Sequence, residues 1–125
     1  MKKILLAEDD KFINRAYTNG LTRAKFDMIS VYDGQEALKK IKSEKPDLIL
    51  LNLIMPIKNG FEVMEEIKLD NKINKIPIFV LSSLGQELDI EKSKSLGAID
   101  YLIKSNFSIK EIIDKINFFS IKENN

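Results

Sequence analysis

The sequence predicts an α/β fold in which a parallel sheet carries helices on both faces. Short continuous apolar runs alternate with segments whose apolar residues recur at the three-and-four spacing of a helix. Continuous apolar strands are typical of a parallel sheet buried on both faces. No internal repeat or low-complexity linker interrupts this order. We therefore expect a single domain over 1–125, with a core from about 3 to 120 and a frayed tail over 121–125.

The first half of the chain predicts three strands and two helices. The strands cover 4–7, 28–31 and 48–51, and the helical stripes cover 13–24 and 37–41. The turn Asp33-Gly34 precedes the second helix. Pro46 ends that helix, because proline cannot continue it and disfavours the helical conformation in the preceding residue.

The second half predicts two further strands and three helices. Pro56 and the pair Asn59-Gly60 break the chain before the third helix, and the remaining strands cover 78–81 and 100–103. The segment 87–95 is rich in serine and charge, which predicts a poorly anchored helix ending at Gly97. Ser108 and Glu111 form a capping-box pattern at the start of the last helix, whose isoleucine stripe is the clearest of the chain.

The composition excludes several kinds of site. The chain has no cysteine and no histidine, which excludes disulfides, Ser-His triads and thiolate or imidazole metal ligands, so any metal would be bound by oxygen. The 20 basic and 19 acidic residues are spread along the chain, so we expect no nucleic acid and no membrane as partner. Without an apolar run of ~20 residues or a signal-peptide pattern, we expect a soluble cytoplasmic protein.

Polar side chains follow four of the predicted strands. They are Glu8, Asp9 and Asp10, then Asn52, then Ser82 and Ser83, and finally Lys104. Because parallel strands end at the same edge of a sheet, we expect these groups to converge. Carboxylate, amide and carbonyl oxygens suit a hard cation such as Mg²⁺, and a hydroxyl and an ammonium group suit a phosphoryl group.

Each of these residues also has an ordinary structural explanation. Asp9 or Asp10 would serve as the N-cap of the first helix, Lys104 as a solvated lysine, and the serines as a strand terminus. Tyr101 would be a packed edge aromatic. The joint occurrence of acids, amide, hydroxyl and ammonium at four strand ends favours a functional site over coincidence.

The motifs of the chain resemble the receiver domains of two-component response regulators, the family that includes the chemotaxis protein CheY. The resemblance covers essentially the whole chain and is carried by Ile-Leu-Leu-Ala-Glu-Asp-Asp, Asp-Gly-Gln-Glu-Ala-Leu, Pro-Asp-Leu-Ile-Leu-Leu-Asn-Leu-Ile-Met-Pro-Ile-Lys-Asn-Gly, Ile-Pro-Ile-Phe-Val-Leu-Ser-Ser and Gly-Ala-Ile-Asp-Tyr-Leu-Ile-Lys. It implies a flavodoxin-like (βα)5 three-layer sandwich with strand order 2-1-3-4-5. It also implies a phosphorelay signalling module that is not an enzyme.

The resemblance assigns roles to residues of this chain. Glu8, Asp9 and the backbone carbonyl of Ile54, together with position 52, fall at the family's magnesium site. Further positions match a phosphoryl-following hydroxyl, a phosphoryl-contacting lysine and a switch aromatic, namely Ser82, Lys104 and Tyr101. The implied partners are a sensor histidine kinase or phosphotransfer protein, and a downstream protein at the face formed by the fourth helix, fifth strand and fifth helix.

Two positions depart from the family pattern. Asn52 aligns with the phosphoacceptor aspartate, and Ser105 replaces the proline that usually follows the lysine, so no X-Pro bond remains there to favour a cis peptide. A neutral amide is a poor nucleophile and gives no acyl phosphate. We therefore expect a receiver that cannot be phosphorylated and that binds Mg²⁺ weakly or not at all. We also expect it to be a stand-alone receiver that signals by protein binding.

Several alternatives remain open from the sequence. The chain is either a natural pseudo-receiver or one in which asparagine was substituted for aspartate to trap the resting state. A Mg²⁺-dependent phosphohydrolase of the haloacid-dehalogenase type needs an aspartate two residues before Asp10, where the chain has Glu8. A flavodoxin needs a phosphate cradle of hydroxyls and glycines after the first strand, where this chain is acidic.

Overall fold

The computed structural model describes the backbone of residues 2–123 and the side chains of residues 2–120. Strands and helices alternate along it: β1 (Lys3–Ala7), α1 (Lys11–Arg23), β2 (Asp27–Val31), α2 (Gly34–Glu44), β3 (Leu48–Leu51), α3 (Gly60–Lys68), β4 (Ile78–Ser82), α4 (Glu87–Ser95), β5 (Asp100–Ile103) and α5 (Ile109–Glu123). A short 3₁₀ turn, Lys104–Asn106, follows β5. None of the helices in the described part is long and apolar enough to span a membrane.

All strand pairs are parallel, and the strand order is β2-β1-β3-β4-β5. The predicted α/β fold and the order implied by the resemblance are therefore confirmed. Alternate residues of each strand point to opposite faces, so the sheet separates two apolar clusters. One cluster joins the sheet to α1 and α5, and the other joins it to α2 and α3. The fold has three layers, as expected.

Side-chain caps begin four of the helices, namely α1, α2, α3 and α5. Asp10 accepts hydrogen bonds from the backbone N–H groups of Phe12 and Ile13 at 2.9 and 3.1 Å, which is the capping role considered for it from the sequence. Asp33 caps α2 in the same way. The expected pair at the start of α5 is confirmed, since Ser108 and Glu111 exchange hydrogen bonds at 2.9 and 3.1 Å. These bonds lower the pKa of Glu111.

Helix α4 is weakly anchored, as its composition predicts. Within Glu87–Ser95, Ser93 is the one buried residue and the large apolar side chain of Leu88 is exposed. No side chain caps the N-terminus of this helix. Gly97 follows it with a positive φ of 104°. At the other end of the chain, α5 continues to Glu123 and thus includes part of the segment 121–125, for which the sequence suggests fraying. Residues 124 and 125 lie outside the described part.

Candidate functional site

The predicted strand-end residues meet at one edge of the sheet. Glu8 follows β1, Asn52 follows β3, and Lys104 follows β5. The Lys104 ammonium reaches across the carboxyl ends of the intervening strands and forms an ion pair with Glu8. Ser82 ends β4 and is fully buried, whereas Ser83 is exposed. The structure therefore brings Glu8, Asn52 and Lys104 together in one side-chain cluster at this edge, here called the pocket.

The side-chain amide of Asn52 is directed at the groups expected to bind a metal. Its nitrogen Nδ2 lies 2.9 Å from the Ile54 carbonyl oxygen, 3.2 Å from Asp9 Oδ1 and 3.3 Å from Glu8 Oε2. All three partners are acceptors, so the opposite amide orientation would place an oxygen among three oxygens. The hydrogen-bonding chemistry thus selects the orientation in which Asn52, only 6% exposed, presents its nitrogen to the pocket.

Glu8 has hydrogen-bond partners on both of its carboxylate oxygens. Oε1 is paired with the ammonium of Lys104, and Oε2 accepts from the backbone N–H of Asp10 at 3.1 Å as well as from Asn52. The residue is only 2% exposed, and these hydrogen-bond donors compensate for the hydration that its carboxylate loses on burial. Within the described residues, no buried side-chain nitrogen or oxygen lacks a hydrogen-bond partner.

The donor set has only part of what a magnesium site needs. Two carboxylates and a carbonyl are suitable hard ligands, but in this arrangement they accept hydrogen bonds from Asn52 and Lys104. In residues 2–120, no cluster of three or more acidic, histidine or cysteine side chains is arranged to hold a metal ion. As arranged, the pocket does not fit a divalent cation, because the amide contributes N–H donors where a further oxygen ligand is needed.

The two expected switch residues are connected to each other through Leu84. The Ser82 hydroxyl accepts a hydrogen bond from the Leu84 N–H at 3.1 Å, and the Tyr101 hydroxyl donates to the Leu84 carbonyl at 2.6 Å. Burial is the main cause that raises the pKa of Tyr101; the nearby Ser82 hydroxyl partly opposes this and the Asp89 carboxylate adds to it. Tyr101 is therefore fixed against the loop that follows β4, and neither it nor Ser82 is hydrogen-bonded to Asn52.

Asn14 is a positioning residue that the sequence did not reveal. Its amide nitrogen donates to the backbone carbonyls of Glu8 and Val31 at 3.0 and 3.2 Å, which ties α1 to the ends of β1 and β2. The residue is 1% exposed. The available signal is its position three residues before Tyr17 on the buried stripe of α1, where an apolar residue would be usual.

The loop between β3 and α3 contains a strained turn beside the pocket. Lys58 donates its N–H to the Pro56 carbonyl at 2.8 Å, and the central residue, Ile57, has a φ of 70°. A γ-turn with positive φ is rare, and a β-branched side chain is strongly disfavoured there. Ile57 is exposed, so no buried packing offsets the strain.

Replacing Ile57 with asparagine is expected to stabilise the protein by about 1 kcal/mol, because asparagine is not β-branched and is enriched several-fold at positive φ. The midpoint of urea denaturation measures the change. Ile54→Asn is the matched control, since Ile54 is also exposed and is not among the residues with positive φ. An equal rise of the urea midpoint in both variants would assign the stabilisation to surface polarity rather than to relief of backbone strain.

Residues 4–117 match the family described as the response regulator receiver domain. The chain is 38% identical over 111 residues to the alkaline phosphatase synthesis transcriptional regulatory protein PhoP of Bacillus subtilis, a match that covers 89% of this chain and 45% of that protein. It spans about half the length of the curated relatives it matches.

Solved structures agree with this match. The receiver domain of the Francisella response regulator 1452 superposes with a TM-score of 0.89 at 29% identity, covering 98% of this chain and 99% of that one. The chemotaxis response regulator CheY4 of Vibrio cholerae gives a TM-score of 0.86 at 25% identity, covering 94% and 97%. The chain belongs to the response regulator receiver domain family.

Proposed function

We propose that this receiver domain takes part in phosphorelay signalling in a form that cannot itself be phosphorylated. The single observation that carries the proposal is the chemical identity and hydrogen bonding of Asn52. This residue stands at the end of β3, where the resemblance expects the acceptor aspartate. Its amide is neutral, and its nitrogen is engaged by three acceptors. An amide in this state is not a nucleophile toward phosphorus, so no acyl phosphate forms.

Signalling then depends on binding to other proteins. Receiver domains in general work with histidine kinases and phosphotransfer proteins, and we propose one of these as a partner here. We place a downstream partner on the face of α4, β5 and α5. A surface groove of about 550 Å³ lies between the start of β5 and α5, two of the three elements of this face, and the exposed side chains of Ile99 and Phe118 line it. The stand-alone arrangement expected from the sequence stays a prediction.

Exposure to a small phosphodonor tests the proposal. Acetyl phosphate with Mg²⁺ is expected to leave the mass of the unaltered protein unchanged and to add one phosphoryl group to Asn52→Asp. Asn71→Asp is the matched control, because it adds a carboxylate at an exposed turn away from the pocket. A stable phosphoryl adduct on the unaltered chain would refute the proposal.

The behaviour of Asn52→Asp also separates the two origins left open by the sequence. If the variant accepts phosphate and Tyr101 changes its environment, the rest of the site is competent and only the acceptor is missing. Failure of a folded Asn52→Asp variant to accept phosphate favours a natural pseudo-receiver that switches by binding alone.

We also propose that the chain is not an enzyme. The rival phosphohydrolase needs a free carboxylate nucleophile after β1, and both oxygens of Glu8 are held by donors. Asp10 caps α1. Incubation with a generic phosphomonoester and Mg²⁺ is expected to release no phosphate above the rate of a Glu8→Gln control, and turnover above that control would support the phosphohydrolase instead.

A further inference from the structure

We propose that the Asn52 amide takes the place of a bound cation, so that this receiver domain holds its acidic pocket together without metal. The inference deepens the proposed function and rests on it in one respect, namely that both treat the pocket at the end of β3 as the receiver site. It concerns what holds the pocket in shape rather than whether the pocket reacts.

The hydrogen bonds of Asn52 connect the same three groups that a cation would draw together. Its Nδ2 atom is within 3.3 Å of Glu8 Oε2, Asp9 Oδ1 and the Ile54 carbonyl oxygen. The amide thus connects the segment after β1 to the loop after β3. An NH₂ group has two hydrogens, so three acceptors share them and the shortest contact, 2.9 Å to Ile54, is the best satisfied.

Lys104 also contributes to replacing the cation. Its ammonium pairs with Glu8 Oε1, on the oxygen opposite to the one that faces Asn52. The carboxylates of Glu8 and Asp9 and the ammonium of Lys104 leave a single net negative charge in the pocket. Cation affinity at oxygen sites depends on the number of charged ligands, so this pocket attracts a divalent ion less than one with a third carboxylate.

A cation entering the pocket must also displace existing bonds. The positive end of the amide dipole points at the three oxygens, and the N–H donors occupy the lone pairs that would coordinate the ion. Mg²⁺ loses its water reluctantly and tolerates little distortion of its ligand geometry. The pocket therefore has a complete set of internal bonds in the absence of metal and gains little from adding one.

Thermal unfolding with and without Mg²⁺ tests this inference. In EDTA, Asn52→Asp is expected to melt about 3–6 °C below the unaltered protein, because a third carboxylate replaces the donors. A saturating concentration of Mg²⁺ is expected to restore most of that loss in Asn52→Asp. The same addition should move the melting temperature of the unaltered protein by less than about 1 °C, with KCl at equal ionic strength as the reference.

Two further variants keep the test decisive if Asn52→Asp unfolds. Asn52→Ala removes the donors without adding charge, so it is expected to melt below the unaltered protein in EDTA and to recover part of the loss in Mg²⁺. Asn71→Asp adds an exposed carboxylate outside the pocket and is expected to show no Mg²⁺-dependent shift beyond the KCl reference.

Two results would overturn the inference. One is a Mg²⁺-dependent shift in the unaltered protein as large as that of Asn52→Asp, and the other is an Asn52→Ala variant as stable as the unaltered protein in EDTA. Neither result bears on phosphorylation, since a chain that binds Mg²⁺ still lacks an acceptor carboxylate. Conversely, phosphorylation of the unaltered chain would refute the proposed function, and these melting curves would still test the inference about Mg²⁺.

Discussion

Replacing Gly34 with alanine is expected to lower the free energy of unfolding by about 3 kcal/mol. Gly34 is the first residue of α2, and a Cβ atom built on it would lie 2.1 Å from the Lys58 carbonyl oxygen and 2.7 Å from the carbonyl carbon. Contacts this short force one segment to move, and the obstacle is backbone, which cannot change rotamer. The loop after β3 and the N-terminus of α2 would have to separate.

The damage should extend to the functional pocket, because the displaced loop also supplies the Ile54 carbonyl to Asn52. Urea denaturation followed by far-UV circular dichroism measures the loss. Gly85→Ala is the matched control: its Cβ would lie 3.2 Å from Cδ1 of Ile103, the flexible end of a side chain, so a change within about 0.5 kcal/mol is expected. Equal midpoints for the two variants would contradict the close approach of Gly34 to Lys58.

The three central strands, β1, β3 and β4, were predictable because each contains a continuous apolar run. Predicted and observed bounds agree at β3 and β5, and β1, β2 and β4 differ by one residue at one end. In each of these three the additional residue is polar, Lys3, Asp27 or Ser82. The apolar run alone does not mark such ends, since the backbone pairing of a strand extends beyond its terminal apolar side chains.

The site was predictable in position but not in bonding. Polar residues at the carboxyl ends of parallel strands must lie near one another, so Glu8, Asn52 and Lys104 could be placed together from the sequence. Which acceptors the Asn52 amide uses depends on distances of a few tenths of an ångström between segments far apart in the chain. The same is true of Leu84, whose role between Ser82 and Tyr101 is carried by its backbone and leaves no trace in residue type.

Ile57 was missed for a different reason. Turn-forming residues at 56, 59 and 60 predicted a break in the chain, but isoleucine at a position with positive φ runs against every local preference. Sequence patterns indicate what favours a conformation. They do not indicate a residue that is held in a conformation by its surroundings at an energetic cost.

Glu8→Gln is expected to lower the free energy of unfolding by about 3 kcal/mol, because it leaves the Lys104 ammonium without its counter-charge. The side chains of Glu8 and Lys104 are 2% and 15% exposed, so solvent compensates the lost charge only in part. Glutamine keeps the size of the side chain, and its oxygen can still accept from Asn52 and Asp10. Its NH₂ group would then face the ammonium, and two donors cannot satisfy each other.

A double-mutant cycle with Lys104→Met isolates the energy of this pair. The double variant is expected to be more stable than Glu8→Gln alone, since Lys104→Met removes the buried ammonium that Glu8→Gln leaves unpaired. The exposed pair Lys110–Asp114, with side chains 83% and 61% accessible, provides the control, and its cycle should give about 0.5 kcal/mol or less. Added salt should weaken the exposed pair more than the buried one. A coupling at Glu8 and Lys104 no larger than that of the exposed pair would contradict this prediction. It would mean that the Asn52 amide and the Asp10 N–H are enough to stabilise the Glu8 carboxylate.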